Sequence, residues 1–390
     1  MTDSEAIRLV MQLMAVSGQS GQEQSIVKLI CSRLRQAGAP ESSFVTARCH
    51  RRSPFKGEQG NLAIKLPGTV RRPRRLFSAH TDTVPICVGS QPIRKGNRIY
   101  AADSSTGLGG DDRAGVAVLL STVIDLLKRK LPHPPLTFLW TVQEEVGLQG
   151  ARNLRVGMLG RPQFGFNFDG GSPTKLTIGA TGGYRMEIEV LGTASHAGNT
   201  PEEGVSAIVI ASQAISDLVN NGWHGKIVKG RNSGTSNVGV IHGGAATNVV
   251  TDRVVIRAEA RSHNPKFRER IVTKINQAFQ RAARNVRNRR GQHGEIRVRG
   301  RLDYEAYQLS PREPCIAAAV NAVVQEGWEP ELAIANGGLD ANWLMVHGIP
   351  TVSLGCGQKN IHTTSEQLDI KEFLAARRIA LRIATDTESR

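Results

Sequence analysis

The chain has 390 residues, of which 39% are hydrophobic and 22% charged, with a formal net charge of +16. That length accommodates two or three domain-sized units with a substantial core, and no apolar run approaches the roughly 18 residues that cross a bilayer. Five scattered cysteines (Cys31, Cys49, Cys87, Cys315 and Cys356), odd in number and never spaced CxxC, speak against a disulfide framework and against a thiolate zinc site.

The N-terminal stretch MTDSEAIRLVMQLMAVSG opens acidic and polar and then reads as an amphipathic helix. It lacks the basic start and continuous apolar core of a signal peptide. With the cysteine usage, this gives a cytoplasmic expectation and no membrane partner. The excess positive charge bunches at Arg51-Arg52, at Arg71 to Arg75, and between Arg281 and Arg301, where eight Arg stand against one Glu. Clustered arginine neutralises phosphates. No aromatic-interleaved strand, helix-turn-helix spacing or zinc-finger pattern accompanies it, so a solvated basic helix face is preferred and nucleic acid is not an expected partner.

Residues 3–37 read as helix interrupted near Ser17 to Gly21. Asn61–Leu66 and Leu76–Ala79 read as short buried strands. Asp112–Lys128 places Val116, Leu119, Leu120, Val123 and Leu127 on one helical face. Leu136–Val142 is a continuous apolar strand of the kind covered on both faces, and Phe164–Phe168 is another. This alternation predicts an α/β layer with a mostly parallel sheet flanked by helices. After Gly179 the texture changes. Tyr184–Val190, Ser236–His242, Val254–Ala260 and Glu295–Arg301 alternate polar and apolar, with helices at Val205–Leu218 and Pro265–Val286 between them. That order is the split βαβ pattern of a four-stranded α+β domain. The first texture resumes at CIAAAVNAVVQ, TVSLG and KEFLAARRIALRIA. The expected organisation is a catalytic domain in two parts, 1–180 and 304–390, with an inserted lid and dimerisation domain at 181–303.

Five segments place His, Asp or Glu at a predicted strand end, where open α/β sheets bind ligands. The first is SAHTDT, in which His80 and Asp82 alternate along an extended backbone and project to one side. GGDDRAG follows, where Asp111 and Asp112 precede a helix and serve equally well as an N-cap. In QEEVG, Glu144 and Glu145 close the most apolar strand, a costly pairing without a compensating cation or proton. FDGG supplies Asp169 and NIHTT supplies His362; each is also ordinary turn chemistry. Hard oxygen ligands mixed with imidazole suit zinc, manganese or cobalt, and too few ligands for closed coordination is the catalytic arrangement.

In this order and spacing, SAHTDTVP, GGDDRAGVA, QEEVGLQGA, FDGG and NIHTTSE resemble the metal-site motifs of the peptidase T, aminoacylase and carboxypeptidase G-type zinc exopeptidases. The likeness covers nearly the whole chain. It is most peptidase T-like at GGDDRAG and at Asn336 to Asp340. The resemblance implies two divalent metal ions, zinc foremost with cobalt or manganese as alternatives, bridged by Asp111. His80 and Asp169 would complete one ligand set, and Glu145 and His362 the other. It further implies that Asp82 orients His80, that Glu144 is the general base, and that the Asp111–Asp112 peptide is cis. His196 would reach a partner subunit's oxyanion across a homodimer. Asn248 and Arg261 would contact substrate, Arg261 by holding a carboxylate. Arg113 stands where the family usually carries lysine. The implied activity is hydrolysis of short peptides from the N-terminus. Deacylation or carboxypeptidase action on N-acyl amino acids is the alternative, and a basic nucleic-acid-binding protein on an inert scaffold a remote one. Asp169, where many of the deacylases carry Glu, favours a peptidase.

Overall fold

In the computed structural model, which describes residues 1–387, the chain divides into two compact units, Met1–Ala180 with Gln308–Arg390, and Thr181–Tyr307. The first unit is built on a mixed sheet. At its centre Leu136–Thr141, Arg75–His80, Phe164–Phe168 and Thr351–Leu354 lie side by side and parallel. Antiparallel pairs occur toward the margins, where Leu62–Leu66 meets Leu136–Thr141 and Lys175–Ala180 meets Thr351–Leu354.

Strand alternation sorts the core onto two faces. On one, Ala63, Leu76 and Leu139 pack with Leu154, Leu159, Leu344 and Ile349. On the other, Phe138, Phe77 and Phe166 form a cross-strand row, with Phe77 ring centroids 5.0 Å from Phe138 and 5.3 Å from Phe166. These strands are apolar at nearly every position because helices cover both faces. The helix Gly110–Arg129 is buried from Gly110 to Leu126 and packs on Arg75–His80, Asp3–Met14 and Ile370–Thr385. Burial of its Val116, Leu119, Leu120 and Val123 contributes on the order of 1.5–3 kcal/mol each. Helix Asp3–Met14 opens with a capping box in which Thr2 and Glu5 satisfy each other's main-chain N–H groups.

The second unit carries five antiparallel strands in the order Gly225–Lys229, Asn232–Gly243, Arg253–Ser262, Gly182–Leu191 and Glu295–Tyr304. Four strands were expected. The fifth, Gly225–Lys229, is a short edge strand with only Ile227 buried, joined to its neighbour by a turn with Gly230 at φ 63°. Helices Ala207–Asn220 and Pro265–Asn285 pack on each other and on this sheet, burying Ile210, Ala214, Ile271, Ile275 and Phe279 against Ile188, Val190 and Ile256. Among the described residues, no helix is long and apolar enough to cross a membrane.

Candidate active site

The four parallel strands all end at one edge, and each hands over to a segment bearing a carboxylate or imidazole. His80 is the last residue of Arg75–His80, and Asp169 directly follows Phe164–Phe168. Glu144 and Glu145 lie three and four residues beyond Thr141. His362 lies in the loop after Thr351–Leu354, held at φ 63°. Asp111 and Asp112 are joined by a cis peptide at the start of the buried helix. Gly115 is required one turn on, since a Cβ there would lie 2.0 Å from the Phe168 carbonyl oxygen and 2.5 Å from an Asp112 carboxylate oxygen.

Asp111 is central. One oxygen, Oδ1, is 3.0 Å from His80 Nε2, and the other, Oδ2, is 3.1 Å from His362 Nε2. His362 Nε2 is also 3.0 Å from Glu145 Oε1. Ligand atoms of His80, Asp111 and Asp169 lie within 4.8 Å of one another, as do those of Asp111, Glu145 and His362, and those of His80, Glu144 and Glu145. The first two sets share Asp111. Glu144 differs from Glu145: its carboxylate makes no hydrogen bond among the described residues.

Burial pushes Glu144 well above the usual carboxylate range, with Glu145 adding to the effect, and raises Asp112 likewise, with Asp169 adding. Burial and the Asp111 charge raise Asp169 to about 7. Burial also raises Glu145, against the opposing His362 bond. Burial opposes ionisation of Asp111 too, yet hydrogen bonds from His362 and His80 hold it below its ordinary value. Hydrogen bonds to Asp111 and Glu145 raise His362 to about 10; burial would lower His80, but Asp111 and Asp82 raise it well above its usual value. Five carboxylates packed together want either protons or cations. An oxygen-rich set with two imidazoles and no thiolate fits borderline divalent cations. The residues therefore fit two metal ions sharing Asp111.

Asp82 faces His80 with both its main-chain carbonyl and its carboxylate. The nearest acceptor to His80 Nδ1 is the Asp82 main-chain carbonyl at 3.1 Å, with carboxylate Oδ1 at 3.5 Å. The carboxylate also accepts the main-chain N–H of Glu144 at 3.0 Å and of Glu145 at 3.1 Å, and the Ser20 hydroxyl at 2.6 Å. Glu23 continues the pattern, accepting the Gln143 N–H at 3.0 Å where Gln143 sits at φ 56°. Two buried carboxylates thus hold three successive amides of the glutamate turn. The buried Arg113 guanidinium donates to the Val16 carbonyl at 3.1 Å and lies in the field of Asp82 and Glu23. One register step behind the site, Ser78, Asn167 and Ser353 form a buried hydrogen-bonded row across three strands.

Ser20, Glu23, Gln358 and Glu366 all serve the site and were not singled out from sequence. Glu366 closes the NIHTTSE segment without having been given a role, and the other three stand in a loop or short strand without a spacing that marks them. The remaining expected residues belong to the second unit. His196 is exposed, and its Nδ1 accepts the N–H of Gly198 at 3.1 Å and of Asn199 at 3.0 Å. Asn248 is exposed beside it, its carbonyl accepting the Ala197 N–H at 2.9 Å. Arg261 is half-buried and held by Glu259 through two bonds of 2.9 Å.

This is the constellation of a metal-dependent hydrolase at the carboxyl edge of an α/β sheet. The chain matches the model of peptidase family M20/M25/M40 over residues 76–386. It belongs to that family and is a metallo-exopeptidase of the peptidase T-like kind. It is 35% identical over 318 residues to the Bacillus subtilis protein YqjE, covering 81% of each chain. It is 25% identical over 295 residues to peptidase T of Clostridium perfringens, covering 75% of this chain and 69% of that protein. Its structure matches a tripeptidase of Staphylococcus aureus with a TM-score of 0.88 at 29% identity, covering 98% of each. It matches aminopeptidase PepT of Bacillus cereus with a TM-score of 0.84 at 30% identity, again covering 98% of each.

Proposed function

We propose that the protein is a dinuclear aminopeptidase that releases N-terminal residues from di- and tripeptides, with zinc as the metal and cobalt or manganese as functional substitutes. The observation that carries this reading is Asp111, whose two carboxylate oxygens each face a different imidazole. His80 and Asp169 would hold one ion with it, and Glu145 and His362 the other. Metals bound there would supply Lewis acidity to a substrate carbonyl and to a water. Glu144, with no hydrogen-bond partner among the described residues to compete for its carboxylate, takes the water's proton and delivers it to the leaving amine. Asp82 fixes where Glu144 and Glu145 stand by gripping their amides, and its carbonyl sets the His80 ring. The resemblance to a tripeptidase and to an aminopeptidase supports short peptides as substrates over N-acyl amino acids.

His196 is the oxyanion donor, supplied by a partner subunit. Because its Nδ1 accepts two main-chain N–H groups, the neutral ring carries its proton on Nε2 and presents a donor there. Dimerisation runs through residues 181–303. Ile208, Val209, Val240 and Ile241 are exposed in this unit, and pairing with Gly225–Lys229 covers Asn232–Ser236 alone on that side of the strand. Asn248 and Arg261 contact the substrate backbone and carboxylate.

A panel of di- and tripeptides and N-acyl amino acids, assayed by chromatography of the products, tests the reading. Free N-terminal residues are expected from the peptides. Cleavage restricted to N-acyl amino acids contradicts it.

A further inference from the structure

Gln358 is 3% exposed and lies in the short strand Gln358–Lys359, four residues ahead of His362. Its side-chain amide is fully committed. Nε2 donates to an Asp112 carboxylate oxygen at 2.8 Å and to the Gly110 carbonyl at 3.2 Å, and Oε1 accepts the Gly170 N–H at 3.1 Å. The orientation is unambiguous. A flipped amide would set oxygen against a carboxylate and a carbonyl, and N–H against N–H. Gly110 directly precedes Asp111, and Gly170 directly follows Asp169. One planar amide therefore ties the turn carrying Asp111 to the turn carrying Asp169.

The other ligand set is fixed by different groups. Glu366, 2% exposed, accepts the Asp111 N–H at 3.0 Å and the Gly109 N–H at 2.7 Å. Asp82 accepts the Glu145 N–H. None of these three bonds involves Gly170 or Asp169. Asp169 is attached from its other side by its own N–H to the Leu354 carbonyl at 2.9 Å, which fixes its strand register; the Cys356 and Gly357 N–H groups donate to the Gly170 and Gly171 carbonyls at 2.8 and 2.6 Å, and the Gln358 side chain links this turn to the one carrying Asp111.

We propose that Gln358 is a positioning residue that sets the spacing of Asp169 against Asp111, and so selectively maintains the ion held by His80, Asp111 and Asp169. This rests on the dinuclear reading above. The second set, Asp111, Glu145 and His362, keeps its own supports when Gln358 is lost. A general structural role would weaken both sets together. A spacing role weakens one.

The test uses full-length protein stripped with a chelator and titrated with Mn(II) alone, followed by calorimetry and by electron paramagnetic resonance, with thermal melting as a control. Wild type is expected to take two ions and give the signal of a spin-coupled pair. In Gln358→Met, which keeps the length and removes every hydrogen bond, one ion is expected to bind as in wild type. The other is expected to weaken about 10–100-fold, the usual cost of losing a group that supports a ligand, with an uncoupled six-line signal at the same loading. Gln358→Glu keeps the acceptor for Gly170 and loses both donors; it is expected to show the same one-sided weakening and gives the reading if the Met variant does not fold. Two unchanged affinities, or two that fall in parallel, overturn the role of Gln358 while leaving the dinuclear reading intact. Fewer than two ions in wild type overturns both.

Discussion

The carboxylate of Asp82 accepts the main-chain N–H of Glu144 at 3.0 Å. The proposed general base is thus aimed by a residue from the neighbouring strand end, through its backbone. Because the same carboxylate also takes the Glu145 amide, replacing one of its oxygens by an NH2 group sets donor against donor. Asp82→Asn is expected to lower kcat about 10–100-fold. Ser20→Ala, which removes one bond to the carboxylate and introduces no clash, is expected to lower it less. Steady-state kinetics with metal content measured on the same samples decides this; equal losses in the two variants would contradict it.

The two adjacent glutamates separate by partner. Glu145 meets His362, and Glu144 has no hydrogen-bonded side-chain partner among the described residues. Glu144→Gln is expected to retain its metals and lose about 10²–10⁴-fold in turnover, the range for a missing general acid–base group. Glu145→Gln is expected to bind less metal. Elemental analysis beside initial rates checks the assignment, which fails if both variants lose metal equally.

For His196 the expectation is a loss in His196→Ala of about 10²–10³-fold in kcat with metal content intact, as for other single oxyanion donors. If the histidine acts across a dimer, mixing His196→Ala with Glu144→Gln subunits regains activity, since one hybrid site has both sound groups. Hybrids verified by native mass spectrometry and still inactive would rule out action in trans, as would an active enzyme that sediments as a monomer.

Acid stability is set partly at Glu326. Burial opposes its ionisation, but bonds from Arg378 at 2.7 Å and Arg382 at 2.5 Å outweigh burial and lower its pKa. A carboxylate with a lowered folded-state pKa contributes stability above its unfolded pKa and loses that contribution as pH falls through the folded value. Glu326→Gln is therefore expected to melt lower than wild type at neutral pH, with the difference closing below about pH 4, beneath the ordinary glutamate range. Parallel melting curves for the two proteins across that range would contradict this.

The central strands were legible because burial on both faces makes them continuous apolar runs, as in Leu136–Thr141. Lys175–Ala180 and Glu331–Ala335 were not, since small and polar residues alternate there and pairing holds them in the sheet. The residues around Asp111 were legible as motifs, because several acids and imidazoles at strand ends form a pattern. What holds them in place was not. HxD spacing suggests that Asp82 serves His80, two residues away. Its carboxylate also receives amides 62 and 63 residues further along the chain, a pairing that exists only after the parallel strands align. Gln358 and Glu366 act in the same non-local way.

The most direct test of the account is to titrate Zn(II) into chelator-stripped protein while following tripeptide hydrolysis and bound metal together. The account predicts no activity without metal, two ions bound per chain at saturation, and full turnover only once both sites around Asp111 are filled. Full hydrolysis by metal-free protein, or saturation of activity with a single ion bound, would contradict it.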